Sequence, residues 1–235
     1  MNLHSADLDA AARKYRGAAG RDYHEGKRGL HADAVSWLMA LRAEKFQRHV
    51  RREHVVFELG VGAGWNLGRL QCARRIGCDA ADFLEERIRA LGIEFTAECA
   101  DVPAATADIA ICHHTLEHLL EPANALGQLW RILKAGGLLV LHVPWEREWR
   151  YARHCPDEPN HHLFTWNAQN LGNLVTLTGY RLERVAVCSY GYDRFAANLA
   201  VRLKFGERGF RLLRRALVAL RPLREVEVLA RKPAG

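Results

Sequence analysis

The sequence predicts an α/β fold on an open, mostly parallel sheet, and three observations carry that expectation. Residues 55 to 64, VVFELGVGAG, run as a short β-branched and aromatic strand through Glu58 into Gly60-x-Gly62-x-Gly64. Glycine lacks a Cβ, so such a turn can be tight and a nucleotide-like ligand can lie against its peptide groups. Further short apolar strands then alternate with stretches of helical spacing, the pattern of strand–helix–strand units. Finally, 235 residues suit one α/β domain and suffice to bury a full core. No stretch approaches the roughly 18 uninterrupted apolar residues of a membrane span. The opening MNLHSADLDAAARKYRG has no apolar signal core, and the six cysteines (72, 78, 99, 112, 155 and 188) form no Cys-x-x-Cys pair. Both features fit a cytoplasmic protein with reduced, largely buried thiols.

Taken in chain order, residues 1 to about 50 read as helices, with an amphipathic stretch from Ala32 to Arg51 carrying Val35, Leu38, Met39, Leu41 and Phe46. After the glycine turn, Arg75–Cys78 is a second strand ending at Asp79. A third spans Ile93–Glu98 with Asp101 at its exit, and a fourth spans Ala107–Cys112 with Asp108 near its start. HHTLEHLLEP (113 to 122), a helix over 124 to 137 and the strand LLVLHVP (138 to 144) follow. Residues 144 to 164 form a long aromatic loop. A helix is predicted at about 165 to 178, with Thr165 as a cap and Gly179 as its stop. The strand Tyr180–Cys188, a basic amphipathic insertion at about 199 to 224 and a last strand, Glu225–Arg231, complete the chain.

The glycine spacing decides between cofactors. A dinucleotide fingerprint has its third glycine three residues after the second, where this chain has Trp65, so a nicotinamide oxidoreductase is disfavoured. Here the third glycine comes at two, behind an acidic strand end. With Asp79, Asp101, Glu117-His118, the run Arg131-Ile-Leu-Lys-Ala-Gly-Gly137 and the strand ending at Pro144, the chain resembles the class I S-adenosylmethionine-dependent methyltransferases. The resemblance covers roughly residues 50 to 188, with a last strand at 225 to 231. It implies a doubly wound, seven-stranded, Rossmann-like sheet whose last strand is antiparallel, within a single domain over 1–235. In that picture residues 1–50 are a helical cover, 51–143 the cofactor half and 144–235 the substrate side. The cofactor would be S-adenosyl-L-methionine. Glu58, Gly60, Gly62, Gly64 and the backbone near His113 would shape its methionine end, Asp79 would accept the ribose hydroxyls, and Asp101 and Val102 would frame the adenine.

Methyl transfer asks a protein chiefly to align a nucleophile with the methyl and to exclude water. A base is needed when the acceptor arrives as a sugar hydroxyl or phenol. Candidates cluster after the fourth and fifth strands, where open sheets place ligands: His113, His114, His118, His161 and His162, with Trp145, Trp149, Tyr151, Phe164 and Trp166 around them. His118 and His161 rank highest, the latter in Asn160-His-His-Leu-Phe-Thr165, similar to a histidine-containing segment of the family. Any of these histidines also reads as a hydrogen-bonded structural group. The tryptophans read either as the lining of an aromatic or lipid pocket or as a plug on the sheet. His114-x-x-Glu117-His118 matches the inverted zinc-peptidase pattern as well, but it sits directly after a strand, where the methyltransferase family often carries Glu-His. Some quinone-pathway O-methyltransferases that share this Glu-His hold a metal with a further acid; His114 replaces that acid here, and no metal is assigned. No Asn/Asp-Pro-Pro-aromatic stretch and no Pro-Cys follow the fourth strand, which argues against the amino groups of adenine or glutamine and against cytosine C5 as acceptors. The expected reaction is O-methylation of a quinone, a phenol or a sugar, free or lipid-linked. The alternative is a non-catalytic S-adenosylmethionine-binding or partner protein on the same fold.

Charge supplies the last clue. The whole formal excess of +7 lies in residues 200 to 235, which carry ten Lys or Arg against three Glu. A neutral catalytic half disfavours nucleic acid as a substrate. In the tail, Phe210, Leu213, Leu217 and Leu220 follow helical spacing, flanked by Arg211, Arg214, Arg215 and Arg221. Such a helix covers the sheet with its leucines, lies peripherally on an anionic membrane, or grips the phosphates of a nucleic acid.

Overall fold

The computed structural model describes residues 15–18, 20–21, 29–146, 152–155 and 160–234. The strands are β1 (Val55–Leu59), β2 (Arg74–Cys78), β3 (Glu94–Thr96), β4 (Ala107–His113), β5 (Leu133–Pro144), β6 (Arg181–Tyr190) and β7 (Leu223–Arg231). They form one seven-stranded sheet in the order β3-β2-β1-β4-β5-β7-β6. The pairs β1–β4, β2–β3 and β4–β5 are parallel and β5–β7 is antiparallel, as the resemblance implied. The helices are α1 (Ala32–Gln47), α2 (Glu85–Ala90), α3 (Pro122–Ile132), α4 (Ala168–Leu177), α5 (Asp193–Arg202) and α6 (Gly206–Leu220).

Several element boundaries differ from expectation. The third strand shrinks to Glu94–Thr96, because Cys99–Asp101 winds into a 3-10 turn. The helix expected over 124–137 is α3, which starts at Pro122 and ends at Ile132. Leu133 is already extended, and Gly136, at φ +76°, bends within the long strand β5. The cap of α4 is Asn167 rather than Thr165. Asn167 and Asn170 form a reciprocal capping box, each side chain accepting the other's backbone N–H at 2.9 Å. The last strand begins two residues early, at Leu223.

The chain divides into two compact units. The first comprises Met1–His54, Val61–Ala97 and Ser189–Leu223. In it Ala34 of α1, Ala196, Ala197 and Ala200 of α5 and Phe210 of α6 make a core flanked by Trp37, Leu213 and Leu217. The small alanines let these helices approach closely, and full burial of Phe210 contributes about 2–3 kcal/mol. The leucines of the basic stripe therefore cover helices α1 and α5 rather than the sheet, and Leu220 stays exposed. Asp193, at the start of α5, accepts Arg42 of α1 at 2.9 Å and Arg214 of α6 at 2.5 Å, tying the three helices together.

The second unit comprises Val55–Gly60, Glu98–Cys188 and Arg224–Gly235. Its core is the apolar run of β4 and β5, in which Ile109, Ile111, Leu139, Leu141 and Val143 are buried, as are Leu126 and Leu129 of α3 and Val175 of α4. Asp108, where the sequence leaves no apolar role, receives the Val55 N–H at 2.8 Å and pairs with Lys134 at 2.8 Å, so it pins β1 to β4.

Candidate active site

In the first unit, the glycine turn is held by the tip of β2. The Val61 N–H donates to the Cys78 carbonyl at 3.1 Å, and the Gly62 N–H donates to Asp79 Oδ2 at 2.7 Å. Asp79 Oδ1 accepts the Ala81 N–H at 2.9 Å. Each carboxylate oxygen thus accepts one backbone bond and retains a lone pair for a hydroxyl. Gly62 has φ +51°, and a Cβ added there would meet nothing within 4 Å among the described residues, so these leave the peptide face over the turn open to a ligand. Gly64 closes the turn by donating to the Val61 carbonyl at 2.9 Å, and Trp65 lies under the guanidinium of Arg194, 5.2 Å from its ring centre.

In the second unit, Glu58 is fully buried on β1, in register with Ile111 of β4. Gly60, at φ +75°, is compelled by packing: a Cβ there would lie 2.0 Å from Thr115 Oγ1. Asp101 is exposed within its 3-10 turn, and Val102 is buried behind it. A residue that the sequence did not single out holds this turn. Arg131 of α3 donates to the carbonyls of Cys99 and Val102, both at 2.7 Å. Its signal, an arginine opening the Ile-Leu-Lys-Ala-Gly-Gly run, was present but had no visible partner.

The histidines separate into two clusters in this unit. The first gathers Glu117, His118, His161 and His162. His118 ends the 3-10 turn Leu116–His118, and its Nδ1 faces the His161 main-chain carbonyl at 3.3 Å. The N–H of Leu163 donates to the Glu117 carbonyl at 2.8 Å, fastening this loop to the turn. His162 Nδ1 bonds Glu146 Oε1 at 2.9 Å, and its ring sits edge-on to His118 at 4.9 Å. The two catalytic candidates are thus brought together, but His161 contributes its carbonyl, presented by a backbone at φ +56°. Positive φ outside glycine costs on the order of 1 kcal/mol and concentrates at functional positions. Phe164 stacks on the buried Trp166 at 5.6 Å, and Trp145 bridges to Trp166; Trp149 and Tyr151 lie outside the described residues.

The second cluster gathers His113, His114 and His142 about Glu225. His114 Nε2 lies 3.0 Å from Glu225 Oε2, and His113 Nε2 lies 3.9 Å from the same oxygen. His114, at φ +53°, precedes the 3-10 turn and points to β7, so it shares no helical face with His118. The zinc-peptidase arrangement therefore does not form. His142, Glu225 and Glu227 went unnoticed in the sequence, because alternation within an apolar strand does not reveal which strand lies alongside.

The geometry gains a context from known proteins. The family model described as a methyltransferase domain matches residues 31–185. The chain therefore belongs to the methyltransferase-domain family, within the class I S-adenosylmethionine-dependent enzymes. No curated protein sequence matches it. Among solved structures, it is similar to a Bacillus halodurans protein described as a methyltransferase, at 15% identity and TM-score 0.59, covering 83% of this chain and 98% of that one. It is similar as well to the [4+2]-cyclase SpnF, at 19% identity and TM-score 0.58, covering 84% and 80%. A third is Haemonchus contortus phosphoethanolamine N-methyltransferase 2 in complex with phosphomonomethylethanolamine and S-adenosylhomocysteine. It shows 11% identity and TM-score 0.59, covering 85% of this chain and 56% of that one. At these identities the likeness is one of fold.

Proposed function

We propose that this methyltransferase acts at an oxygen of a small or lipid-linked hydroxylated acceptor, a phenol, a quinol or a sugar. The observation that carries the reading is the His118 cluster. When Nδ1 of His118 donates to the His161 carbonyl, Nε2 keeps its lone pair and is the basic atom. A hydroxyl acceptor needs such a base, whereas an amine that arrives neutral does not. S-adenosylmethionine supplies an electrophilic methyl on a sulfonium. Its proposed holders are Glu58, Gly60, Gly62 and Gly64, Asp79, Asp101 with Val102, and the main chain at His113. The open peptide face over Gly62 and the remaining lone pairs of Asp79 suit it. His118 Nε2 would take the acceptor's hydroxyl proton as that oxygen receives the methyl and the sulfur leaves as the neutral thioether of S-adenosylhomocysteine; Glu117 and His162 border that imidazole.

The lipid-linked form of the acceptor is supported by α6. Arg211 and Arg214 are committed to Glu44, Glu207 and Asp193. Arg208, Arg215 and Arg221 are exposed beside exposed Leu212 and Leu220, with Leu203 and Phe205 just before the helix. Basic and apolar groups presented together suit an anionic bilayer surface. Among the described residues no helix is long and apolar enough to cross a membrane.

Calorimetric titration with S-adenosylmethionine, S-adenosylhomocysteine and NADH, followed by a labelled-methyl acceptor screen, tests the reading. Binding of both adenosyl ligands without NADH, and labelled product on a hydroxyl acceptor, are expected. His118→Ala should lower turnover by about 10²–10⁴-fold at unchanged cofactor affinity. His161→Gly, which keeps the carbonyl and relieves its positive φ, should leave turnover near wild type. Cofactor binding with no methyl transfer to any acceptor class would favour a non-catalytic role.

A further inference from the structure

We propose that His113, His114 and Glu225 form a binding site for one divalent transition-metal cation of the zinc type. The sheet register builds it. His113 of β4 pairs with His142 of β5, and His142 pairs with Glu227 of β7, so three polar residues lie in a row across adjacent strands. Glu225, two residues before Glu227, shares its face, because side chains on a strand alternate with period two. His114 joins them from the turn after β4, where its φ of +53° directs the ring back to Glu225. The result is two imidazoles and a carboxylate whose donor atoms all lie within 4.8 Å of one another, at the carboxyl ends of β4 and β5. Two histidines and one glutamate, with a further position left for a substrate oxygen, is a donor set that zinc and its neighbours favour.

The surroundings fit a cation. Glu225 and Glu227 are each about 2% exposed. Positive charge close by stabilises buried carboxylates. Arg184 supplies some to Glu227 at 3.5 Å, but its side chain is 57% exposed. A dication held by His113, His114 and Glu225 Oε2 would add positive charge beside these carboxylates. His142 stands beside the ligating carboxylate, its Nδ1 3.2 Å from Glu225 Oε1. His114 is partly exposed and gives an entry path. On the methyltransferase reading, which this role alone rests on, the cation would hold the acceptor's hydroxyl oxygen and ease loss of its proton.

The test is a Co²⁺ titration of the full chain after dialysis against a chelator, without cofactor or acceptor, read by visible absorption and calorimetry. Expected are saturable binding of one equivalent, d–d bands of a low-coordinate nitrogen–oxygen site, and displacement by Zn²⁺. His114→Ala and Glu225→Gln should weaken Co²⁺ binding at least tenfold. His162→Ala, which alters the separate grouping of Glu117, His118 and His162, should leave it unchanged. Circular dichroism checks folding of each variant, and if Glu225→Gln does not fold, His114→Ala decides. No saturable Co²⁺ binding by folded wild type, unchanged affinity in His114→Ala, or loss in His162→Ala instead would overturn the proposal. Because no cofactor is present, these outcomes are independent of whether the chain transfers methyl groups.

Discussion

Asp79 shows how one carboxylate can carry both structure and binding. It accepts the Gly62 N–H on one oxygen and the Ala81 N–H on the other, so it shapes the glycine turn before any ligand arrives. Its remaining lone pairs are what a ribose diol would use. Asp79→Ala should therefore weaken S-adenosylhomocysteine binding by about 1.5–3 kcal/mol, the worth of hydrogen bonds to a charged acceptor, in calorimetric titration. Unchanged affinity would remove Asp79 from the cofactor's partners. Arg131 acts similarly through main chain: its fork on Cys99 and Val102 holds the turn that carries Asp101.

At the scale of elements, α6 is divided between two tasks. One side, with Phe210, Leu213 and Leu217, packs on α1 and α5, while Arg211 and Arg214 brace it through Glu44 and Asp193. The other side presents Arg208, Leu212 and Arg215. If that side meets a bilayer, the protein should co-sediment with vesicles containing anionic lipid and not with neutral ones, and added salt should release it. Leu212→Asp should weaken the association without lowering the thermal midpoint, since Leu212 is exposed. Equal sedimentation with neutral vesicles, or none at low salt, would exclude the role. The brace is testable as well. Asp193→Ala leaves Arg42 and Arg214 facing each other and should cost on the order of 3 kcal/mol in urea unfolding.

At the scale of the whole molecule, stability should decline on the alkaline side. The Tyr180 hydroxyl is buried and donates to the Leu126 carbonyl at 3.0 Å. Burial first, and the neighbouring Cys112 second, raise its pKa far above the ordinary tyrosine value. Cys112 is itself raised by burial and by the charges of Glu117 and Glu58. A folded pKa above the unfolded one means that the unfolded chain releases its proton first. The stabilisation is therefore complete below about pH 10 for Tyr180 and is lost as pH rises beyond it. Urea midpoints between pH 8 and 11.5 should fall more steeply above pH 10 in wild type than in Tyr180→Phe. Parallel curves would show that Tyr180 titrates as it does in the unfolded chain.

The sequence alone determined the sheet's character, its antiparallel last strand by way of resemblance, the glycine turn and the order of its acids. Those features are local: a turn at positive φ needs glycine, a strand needs its apolar alternation, and Asp79 lies at a short strand's tip. It placed His118 and His161 near each other, but a one-dimensional pattern cannot say that one offers a ring and the other a carbonyl. Boundaries moved where competing local bonds won, as when the Asn167–Asn170 capping box displaced Thr165. Only the tertiary structure decided what depends on which strand lies next to which. The adjacency of β4, β5 and β7 brings together His113, His142, Glu225 and Glu227, residues as much as 114 positions apart along the chain. It likewise turned the arginines of α6 from an apparently uniform basic stripe into two braces and an exposed remainder. Buried charge finds its partners in space, and that pairing is set by packing.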